Sequence, residues 1–275
     1  MKTTNCNRRW TAYEKNQLLK FGFSLANLDQ YQDQPVQYIT GYAQFLDYYF
    51  KVNHQVLIPR VESEGLVIMG LEFLTNYCSV KTTQELSFAD VGTGSGNIGI
   101  SLFLQALETH LPVTAILSDI SAPALSIAKE NVQHLVVVQH KEKIKIIESD
   151  LLANFSKIKL DLIVANLPYI PDQYLDSTSK SVTEFEPAIA LAGGEDGLKF
   201  IRQLLTQAQH HLSAHGLIIL ELDERTKVSA ENLGLNNSNW NYLLVSDVFK
   251  KQRYLLVSPL SKIDLNQIAL SLHND

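Results

Sequence analysis

Three closely spaced glycines form the clearest candidate binding feature of the chain. The segment FADVGTGSGNIGI places Asp90 at the end of an apolar run and then Gly92, Gly94 and Gly96. Glycine lacks a Cβ and adopts positive φ easily, so a loop of this kind lets the backbone approach a ligand closely. The stretch from Gly94 also fits the dinucleotide pattern G-x-G-x-x-G, which favours a nucleotide-like cofactor. The alternative is a strand-to-helix turn that binds nothing.

Two further carboxylates follow the next apolar runs. Asp119 ends AILSD and Asp150 ends IIESD. A carboxylate at the end of the second strand of an open α/β sheet can accept hydrogen bonds from the hydroxyls of a ribose. The alternative for both residues is helix N-capping, for which Asp is a preferred residue. The ligand role is favoured for Asp119, and the two interpretations are balanced for Asp150.

The segment ANLPY predicts a second binding element on the same sheet edge. Pro168 favours an extended conformation at Leu167, which can hold the Leu167 carbonyl towards a cleft. The side chain of Asn166 offers another carbonyl, and Tyr169 offers a flat ring face. Two converging acceptors suit a substrate NH₂ group, so the segment indicates methylation of an amide or exocyclic amine nitrogen. A simple turn after a strand is the alternative.

Alternating apolar runs and helical periods predict the framework that carries these residues. The pattern is typical of a doubly wound α/β protein with a mostly parallel sheet. Two strand-like runs near the end add an antiparallel edge hairpin and bring the predicted sheet to seven strands. The predicted strands are Ser87–Val91, Val113–Ser118, Ile144–Glu148, Leu160–Ala165, Leu217–Leu222, Tyr242–Val245 and Tyr254–Val257. The predicted helices are Asn97–Glu108, Ala122–Gln133 and Gly197–Leu212.

The two ends of the chain have a different character. Residues 11–28 predict one or two short helices broken near Gly22. Residues 35–58 are rich in Tyr, Phe, Val and Ile and predict a β-hairpin. The apolar spacing in residues 263–272 predicts a short helix that docks on the body.

Composition and charge narrow the classes of function. The net charge of −6 divides into +3 for residues 1–60 and −9 for the rest, so the body is a poor match for a phosphate backbone. Cys6 and Cys78 are the two cysteines, which excludes a disulfide framework or a cysteine zinc site, and the histidines form no metal-ligand pattern together with carboxylates. The chain contains no apolar run long enough for a membrane helix and does not start like a signal peptide, so we expect a cytoplasmic protein.

With these motifs in order, the chain resembles the class I S-adenosylmethionine-dependent methyltransferases, and specifically the HemK/PrmC family of N(5)-glutamine methyltransferases. PVQYITG resembles the hairpin of that family, and VLIPRVESEGLV resembles its VLIPRPETE segment. DVGTGSG is similar to its cofactor loop, ANLPYIP to its NPPY signature, and FEPAIALAGGEDGLKF to its EP, AL and GG-DGL stretch. The resemblance runs from about Pro35 to Pro259 and implies a Rossmann-like fold.

The resemblance also implies roles for individual residues. It assigns cofactor contacts to Gly92, Thr93, Gly94, Ser95, Gly96, Asp119, Asp150, Leu151 and Asn166. It assigns substrate binding and catalysis to Asn166, Leu167, Pro168 and Tyr169, and it places Arg60, Glu186 and Pro187 on the same rim. An ion pair between Arg60 and a glutamate would be the structural explanation of two of these. Leu167 stands where the family has its first proline; it keeps the carbonyl and adds a backbone N–H.

The implied activity is methyl transfer from S-adenosylmethionine to a protein glutamine, with the GGQ glutamine of a peptide chain release factor as substrate. We expect a short helical segment at 1–34, a hairpin linker at 35–58, a methyltransferase domain at 59–260 and a tail at 261–275, where the family generally carries a longer N-terminal helical domain. We expect no metal, no membrane contact and no direct nucleic-acid binding. The alternatives are another protein substrate, adenine N(6) methylation of nucleic acid, and a non-catalytic cofactor-binding module.

Overall fold

A seven-stranded sheet forms the centre of the computed structural model, which describes residues 8–31, 33–80, 85–156, 158–177, 179–235, 240–259 and 263–273. The strand order is β5-β4-β3-β6-β7-β9-β8. The strands are β3 (Leu86–Val91), β4 (Val113–Asp119), β5 (Ile144–Glu148), β6 (Leu160–Ala165), β7 (Leu212–Glu221), β8 (Trp240–Ser246) and β9 (Gln252–Pro259). The predicted seven-stranded, mostly parallel sheet is confirmed; Cys6 lies outside the described residues.

Helices cover both faces of the sheet. They are α3 (Glu64–Val80), α4 (Asn97–Glu108), α5 (Ala122–Leu135), α6 (Lys180–Phe185), α7 (Lys199–His211) and α8 (Leu265–Leu270). Alternate residues of a strand point to opposite faces. Phe88 therefore packs with α3 and α4, whereas its neighbour Ala89 packs on the side of α7. Because both faces are buried, the central strands are continuous apolar runs rather than alternating ones.

The sheet changes direction at one edge. The five strands from β3 to β7 are parallel to one another, whereas β9 is antiparallel to both β7 and β8. The predicted edge hairpin is therefore confirmed. β7 begins at Leu212 and not at Leu217, because Leu212 pairs with Leu160 before the register shifts. The helix α7 ends at His211, so the helix predicted to end at Leu212 is one residue too long at that end.

The front of the chain contains more helix than its composition predicts. α1 (Ala12–Lys20) begins at a capping box in which Thr11 and Glu14 bond each other's backbone. α2 (Val36–Thr40) corrects the prediction of a hairpin throughout 35–58. Pro35 precedes this helix, Gly41 ends it at φ 76°, and burial of three of its side chains overrides their β propensity. The hairpin itself is short, with β1 (Tyr42–Phe45) and β2 (Tyr48–Lys51).

Two contacts tie the peripheral pieces to the body. The fully buried Asn131 of α5 accepts from Lys51 N at 2.7 Å and donates to Ser95 O at 2.8 Å, so one amide joins the hairpin to the glycine loop. At the other end, Asp264 caps α8, and Leu265 and Ile268 pack into the main core. This confirms the predicted docking helix. Among the described residues no helix is both long and apolar enough to cross a bilayer.

Candidate active site

The glycine loop lies between β3 and α4, as the sequence predicts. Gly92, Gly94 and Gly96 have φ values of 74°, 54° and 84°, which are left-handed and suit glycine. Gly92 N and Thr93 N both donate to the carbonyl of Ser118 at 2.8 Å, which fixes the loop to the neighbouring strand. A Cβ built on Gly94 would meet no atom within 4 Å, since this residue faces the open cleft.

Asp90 holds this loop from beneath. Its Oδ2 accepts from Thr93 Oγ1 at 2.6 Å and from the N–H of Gly99, in the first turn of α4, at 2.8 Å. The side chain is fully buried and is not among the residues that line the cleft. Burial raises the pKa of Asp90 to about 6. Of the three strand-end carboxylates, this one therefore shapes the loop and does not face a ligand.

We predict that Asp90 makes folding stability depend on pH. Its pKa in the folded state lies above the ordinary 3.8, so its favourable contribution is complete below 3.8 and is lost as the pH rises through about 6. Relative to Asp90→Asn, the wild type should gain up to about 1.4 kcal/mol per pH unit between those values as the pH falls. Urea unfolding of both proteins across this range measures the difference. A difference that stays constant with pH would contradict the prediction.

Asp119 faces the cleft and also supports the loop. Its Oδ2 accepts from Gly94 N at 2.9 Å, and its Oδ1 accepts from Ser121 N at 2.9 Å. Ser121, and not Asp119, caps α5 through its side chain. The capping alternative is therefore wrong for Asp119, which lies on the cleft wall.

Asp150 and Leu151 follow β5 on the same rim. Asp150 is exposed and lines the cleft, and residues 151–154 that follow it form a turn instead of a helix, so it caps no helix there. Leu151 has a φ of 53° and is buried with its side chain against the second core. The pair thus combines a carboxylate with an apolar surface at the edge of the cleft.

One cleft brings most of the predicted residues together. Its walls are the carboxyl ends of β3, β4, β5 and β6, which is where open α/β sheets bind ligands. The predicted site residues that line this cleft are Gly92, Thr93, Gly94, Ser95, Asp119, Asp150, Leu151, Asn166, Leu167 and Pro168. Gly96 and Tyr169 are not among its lining residues.

Asn166 and Leu167 present two carbonyl groups at the end of β6. Within the described part of the chain, no donor is hydrogen-bonded to Asn166 Oδ1 or to the Leu167 carbonyl oxygen. The Leu167 side chain is buried, and its Cδ2 would lie 3.0 Å from a Cβ on Gly92. Leucine at this position therefore packs beneath the glycine loop while its backbone carbonyl stays available.

Tyr169 lies behind the cleft. Its hydroxyl donates to Glu221 Oε1 at 3.0 Å, and burial together with the Glu221 charge raises its pKa well above the ordinary 10. Two glycines allow its backbone to be approached: a Cβ would lie 2.7 Å from Tyr169 Cα at Gly193 and 2.4 Å from the Tyr169 carbonyl oxygen at Gly197. The glycine-rich 193–197 stretch thus packs directly on the NLPY segment.

The structure adds two residues that the sequence analysis missed. Ser63 accepts from Asn166 Nδ2 at 2.9 Å and donates to Glu221 Oε2 at 2.6 Å. Glu221, at the end of β7, therefore joins Asn166 to Tyr169 through buried hydrogen bonds. The available signal for Glu221 was its position, because it ends a buried strand on the same rim as Asp119. For Ser63, its place within the VLIPRVESEGLV segment was the available signal.

Arg60 and Glu186 form the ion pair that was considered in the sequence analysis. Arg60 Nη2 lies 2.5 Å from Glu186 Oε1, and Glu186 is buried. Glu186 Oε2 also accepts from Ile58 N at 3.4 Å. Arg60 and Pro187 line the cleft, so the pair fixes one side of its entrance.

Comparison with known proteins gives matches of sequence and of fold. The Methyltransferase small domain family matches residues 59–185. The release factor glutamine methyltransferase of Lactococcus lactis subsp. lactis is 36% identical over 230 residues, which is 82% of this chain and 78% of that protein. The one from Bacillus cereus is 37% identical over 190 residues, 68% of this chain and 63% of that protein. The structure titled human methyltransferase 10 domain containing protein superposes with a TM-score of 0.53 at 17% identity, over 78% of this chain and 88% of the other.

The sheet order, the glycine loop and the carboxylates after the strands are those of the class I methyltransferase fold. The sequence identity to the named relatives over most of the chain identifies the family within this class. The chain belongs to the release factor glutamine methyltransferase family. It spans 63% of the length of the Bacillus cereus relative.

The residues present fit S-adenosylmethionine. Gly94 leaves open space where a side chain would stand, and Asp119, a carboxylate on the cleft wall, would accept hydrogen bonds from the hydroxyls of a bound ribose. Asp150 and Leu151 offer a polar and an apolar contact beyond it. The cleft therefore combines an open backbone surface, two carboxylate acceptors and an apolar contact, which together would suit a nucleoside.

We predict that Gly94→Ala strongly lowers the affinity for S-adenosylmethionine, while its effect on folding stability is that of backbone strain alone. Its Cβ would occupy the cleft, so affinity for S-adenosylmethionine should fall roughly 10- to 100-fold, as expected for one intruding methyl group. The matched control is Gly234→Ala, where φ is 72° and space is also open but the residue does not line the cleft. Both variants should lose about 1 kcal/mol of stability through backbone strain. Calorimetric titration decides the case, and equal affinities in the two variants would contradict the prediction.

Proposed function

We propose that this chain transfers the methyl group of S-adenosylmethionine to the side-chain amide nitrogen of a glutamine in a peptide chain release factor. The observation that carries the proposal is the pair of open acceptors, Asn166 Oδ1 and the Leu167 carbonyl, in the same cleft as the glycine loop. Family membership adds the substrate, because the relatives carry the name release factor glutamine methyltransferase.

The two acceptors fit the chemistry of a carboxamide. S-adenosylmethionine, when bound, supplies an electrophilic methyl group on a positively charged sulfur. The nitrogen lone pair of the glutamine amide is delocalised into its carbonyl, so the amide needs positioning more than it needs a strong base. Hydrogen bonds from its two protons to Asn166 and Leu167 orient the nitrogen for in-line attack. The transfer forms one C–N bond, breaks one C–S bond and releases one nitrogen proton to water.

Apolar side chains at the entrance protect this geometry. Val56, Ile189, Ala190 and Phe200 line the cleft together with the polar groups. They displace water from around the reacting nitrogen, which strengthens the fixed dipoles of the two carbonyl groups. Tyr169, behind the cleft, supports the segment that carries both acceptors.

We further propose that residues 59–260 form the catalytic unit and that the helical segment 1–34 and the hairpin region 35–58 lie on the side where the protein substrate enters. The support is the position of Arg60, which lines both the catalytic cleft and a second groove bordered by Arg8, Tyr13 and Gln37. Since a release factor is the proposed substrate, we place the activity in the cytoplasm and expect no direct nucleic-acid binding.

A methyl-transfer assay tests the function. The chain is incubated with labelled S-adenosylmethionine and purified release factor, and mass spectrometry locates the methyl group. We expect a single methyl group on the glutamine of the GGQ loop and none on release factor in which that glutamine is replaced. Parallel reactions with ribosomal proteins, DNA and RNA test the alternatives. Label found in one of those and not in release factor would overturn the proposal.

A further inference from the structure

A buried carboxylate stands behind the substrate acceptor without a cation in contact with it. Glu221 is 1% exposed, and among the described residues its hydrogen-bond partners are two hydroxyl groups, of Ser63 and Tyr169. The positive charge of Arg253 acts on Glu221 from a distance, and the Arg253 guanidinium is hydrogen-bonded to Asp247 at 2.7 Å instead. Burying a carboxylate in this way opposes folding, so a function must be sought for it.

The direction of each hydrogen bond follows from the carboxylate. Burial raises the pKa of Glu221, whereas the hydroxyl groups of Ser63 and Tyr169 and the charge of Arg253 favour its ionised form, which accepts hydrogen bonds and cannot donate them. The single hydroxyl proton of Ser63 is therefore committed to Glu221 Oε2, at 2.6 Å. Ser63 Oγ can then only accept from Asn166, 2.9 Å away, and the group of Asn166 that faces it must be the NH₂.

The orientation of the Asn166 amide determines what the cleft offers. The two ends of a carboxamide have nearly the same shape, so packing does not distinguish them, and the hydrogen-bond network decides. With Nδ2 on Ser63, Oδ1 is left to the cleft as an acceptor. If Ser63 donated to Asn166 instead, the amide would turn and present NH₂ to a substrate NH₂, which is repulsive.

We propose that Glu221 is a positioning residue which, through Ser63, holds the Asn166 amide with its oxygen facing the cleft. The inference rests on the proposed function for its kinetic consequence. The three residues lie in the turn just before α3, directly after β6 and at the end of β7, so the relay also joins the parts of the fold that surround the acceptor. Tyr169 donates to Glu221 Oε1, which leaves Oε2 as the acceptor for Ser63.

Ser63→Ala and Glu221→Gln test the relay kinetically. Ser63→Ala removes the acceptor for Asn166 Nδ2, and we expect kcat to fall roughly 10- to 100-fold, the cost of a misplaced reacting group. Glu221→Gln keeps the shape but can turn either its oxygen or its NH₂ to Ser63, so a smaller loss is expected. The KM for S-adenosylmethionine should stay within about 2-fold, because the loop and Asp119 are untouched. Ser63→Thr keeps the hydroxyl, is the residue of the VLIPRPETE pattern, and should restore kcat.

The matched control is Ser101→Ala. Ser101 is also fully buried, and its Oγ has no hydrogen-bond partner among the described residues. This variant should leave kcat unchanged. The melting temperature separates positioning from folding: Glu221→Gln should melt no lower than the wild type, since it removes a buried charge, although its kcat falls.

A readout without turnover makes the test independent of the proposed activity. In protein labelled with ¹⁵N-asparagine, the Asn166 side-chain NH₂ signal is the one lost in Asn166→Ala. Its protons should exchange slowly with water in the wild type and in Ser101→Ala, and faster in Ser63→Ala. Rapid exchange in the wild type, or full kcat in Ser63→Ala, would overturn the inference. If the wild type methylates no release factor, the proposed function fails, while the exchange comparison still decides how Asn166 is held.

Discussion

Asn166→Ala is expected to lower kcat for methyl transfer by roughly 100- to 1,000-fold, the range associated with loss of one preorganised polar group. The variant loses one of the two acceptors that orient the substrate nitrogen, whereas the glycine loop and Asp119 remain intact. Affinity for S-adenosylmethionine should therefore change by no more than about 3-fold, since most cofactor contacts remain. Single-turnover kinetics with release factor and calorimetric titration of the cofactor measure the two quantities.

Asn166→Asp sharpens this experiment. Aspartate keeps the shape and an oxygen towards the cleft, but it cannot donate to Ser63, whose proton is already bonded to Glu221. A second carboxylate beside the buried Glu221 also raises the electrostatic cost. We therefore expect kcat as low as that of Asn166→Ala. Asn76→Ala, in α3, is the control for loss of an asparagine side chain and should be fully active. Activity of Asn166→Ala within a few-fold of the wild type would contradict the assignment.

The parts of the site that the sequence predicted are those built from short, continuous segments. The glycine loop, Asp119 and the NLPY segment each follow a buried apolar run, so their place on one rim follows from the parallel sheet. The strands β5 and β6 and the helix α4 have the predicted bounds for the same reason. Local pattern and global fold agree in these segments.

The relay behind Asn166 could not be predicted in this way. Ser63 and Glu221 are 158 positions apart in the chain and meet only because α3 packs beside β7. The helix α2 is a further example: its Val, Tyr and Ile residues favour strand, but Pro35 and Gly41 bound a short helix in which Val36, Tyr38 and Thr40 are buried. Both features therefore depend on packing between distant parts of the chain, which the adjacent residues in the sequence do not predict.

Asp90 and Asp119 show how the same residue type near the ends of two neighbouring strands acquires different roles. Both are preceded by apolar strands and followed by helices, yet Asp90 is fully buried under the loop and Asp119 borders the cleft. The difference arises from the glycine loop, which folds over Asp90 and leaves Asp119 beside its open edge. The role of a strand-end carboxylate thus depends on the loop that follows it.

Asp119→Asn is expected to weaken binding of S-adenosylmethionine by roughly 100-fold, since a hydrogen bond to a charged group contributes up to about 3 kcal/mol and each tenfold change corresponds to about 1.4 kcal/mol. Both carboxylate oxygens accept from backbone N–H groups, of Gly94 and of Ser121. An asparagine has one acceptor oxygen, so its NH₂ must face one of these donors. The substitution therefore disturbs the glycine loop as well as the proposed ribose contact.

Asp264→Asn is the control for replacing a carboxylate that accepts from the backbone. Asp264 accepts from two backbone N–H groups, of Asn266 and Gln267, through the single oxygen Oδ1, and it caps α8 and does not line the cleft. Because asparagine caps a helix about as well as aspartate, this variant should keep its stability, and only Asp119→Asn should lose affinity in calorimetric titration. Asp150→Asn, exposed at the cleft edge, should lose less, roughly 3-fold, because solvent screens its charge. Equal affinities for Asp119→Asn and Asp264→Asn would show that the carboxylate of Asp119 supports the fold and does not contact the cofactor.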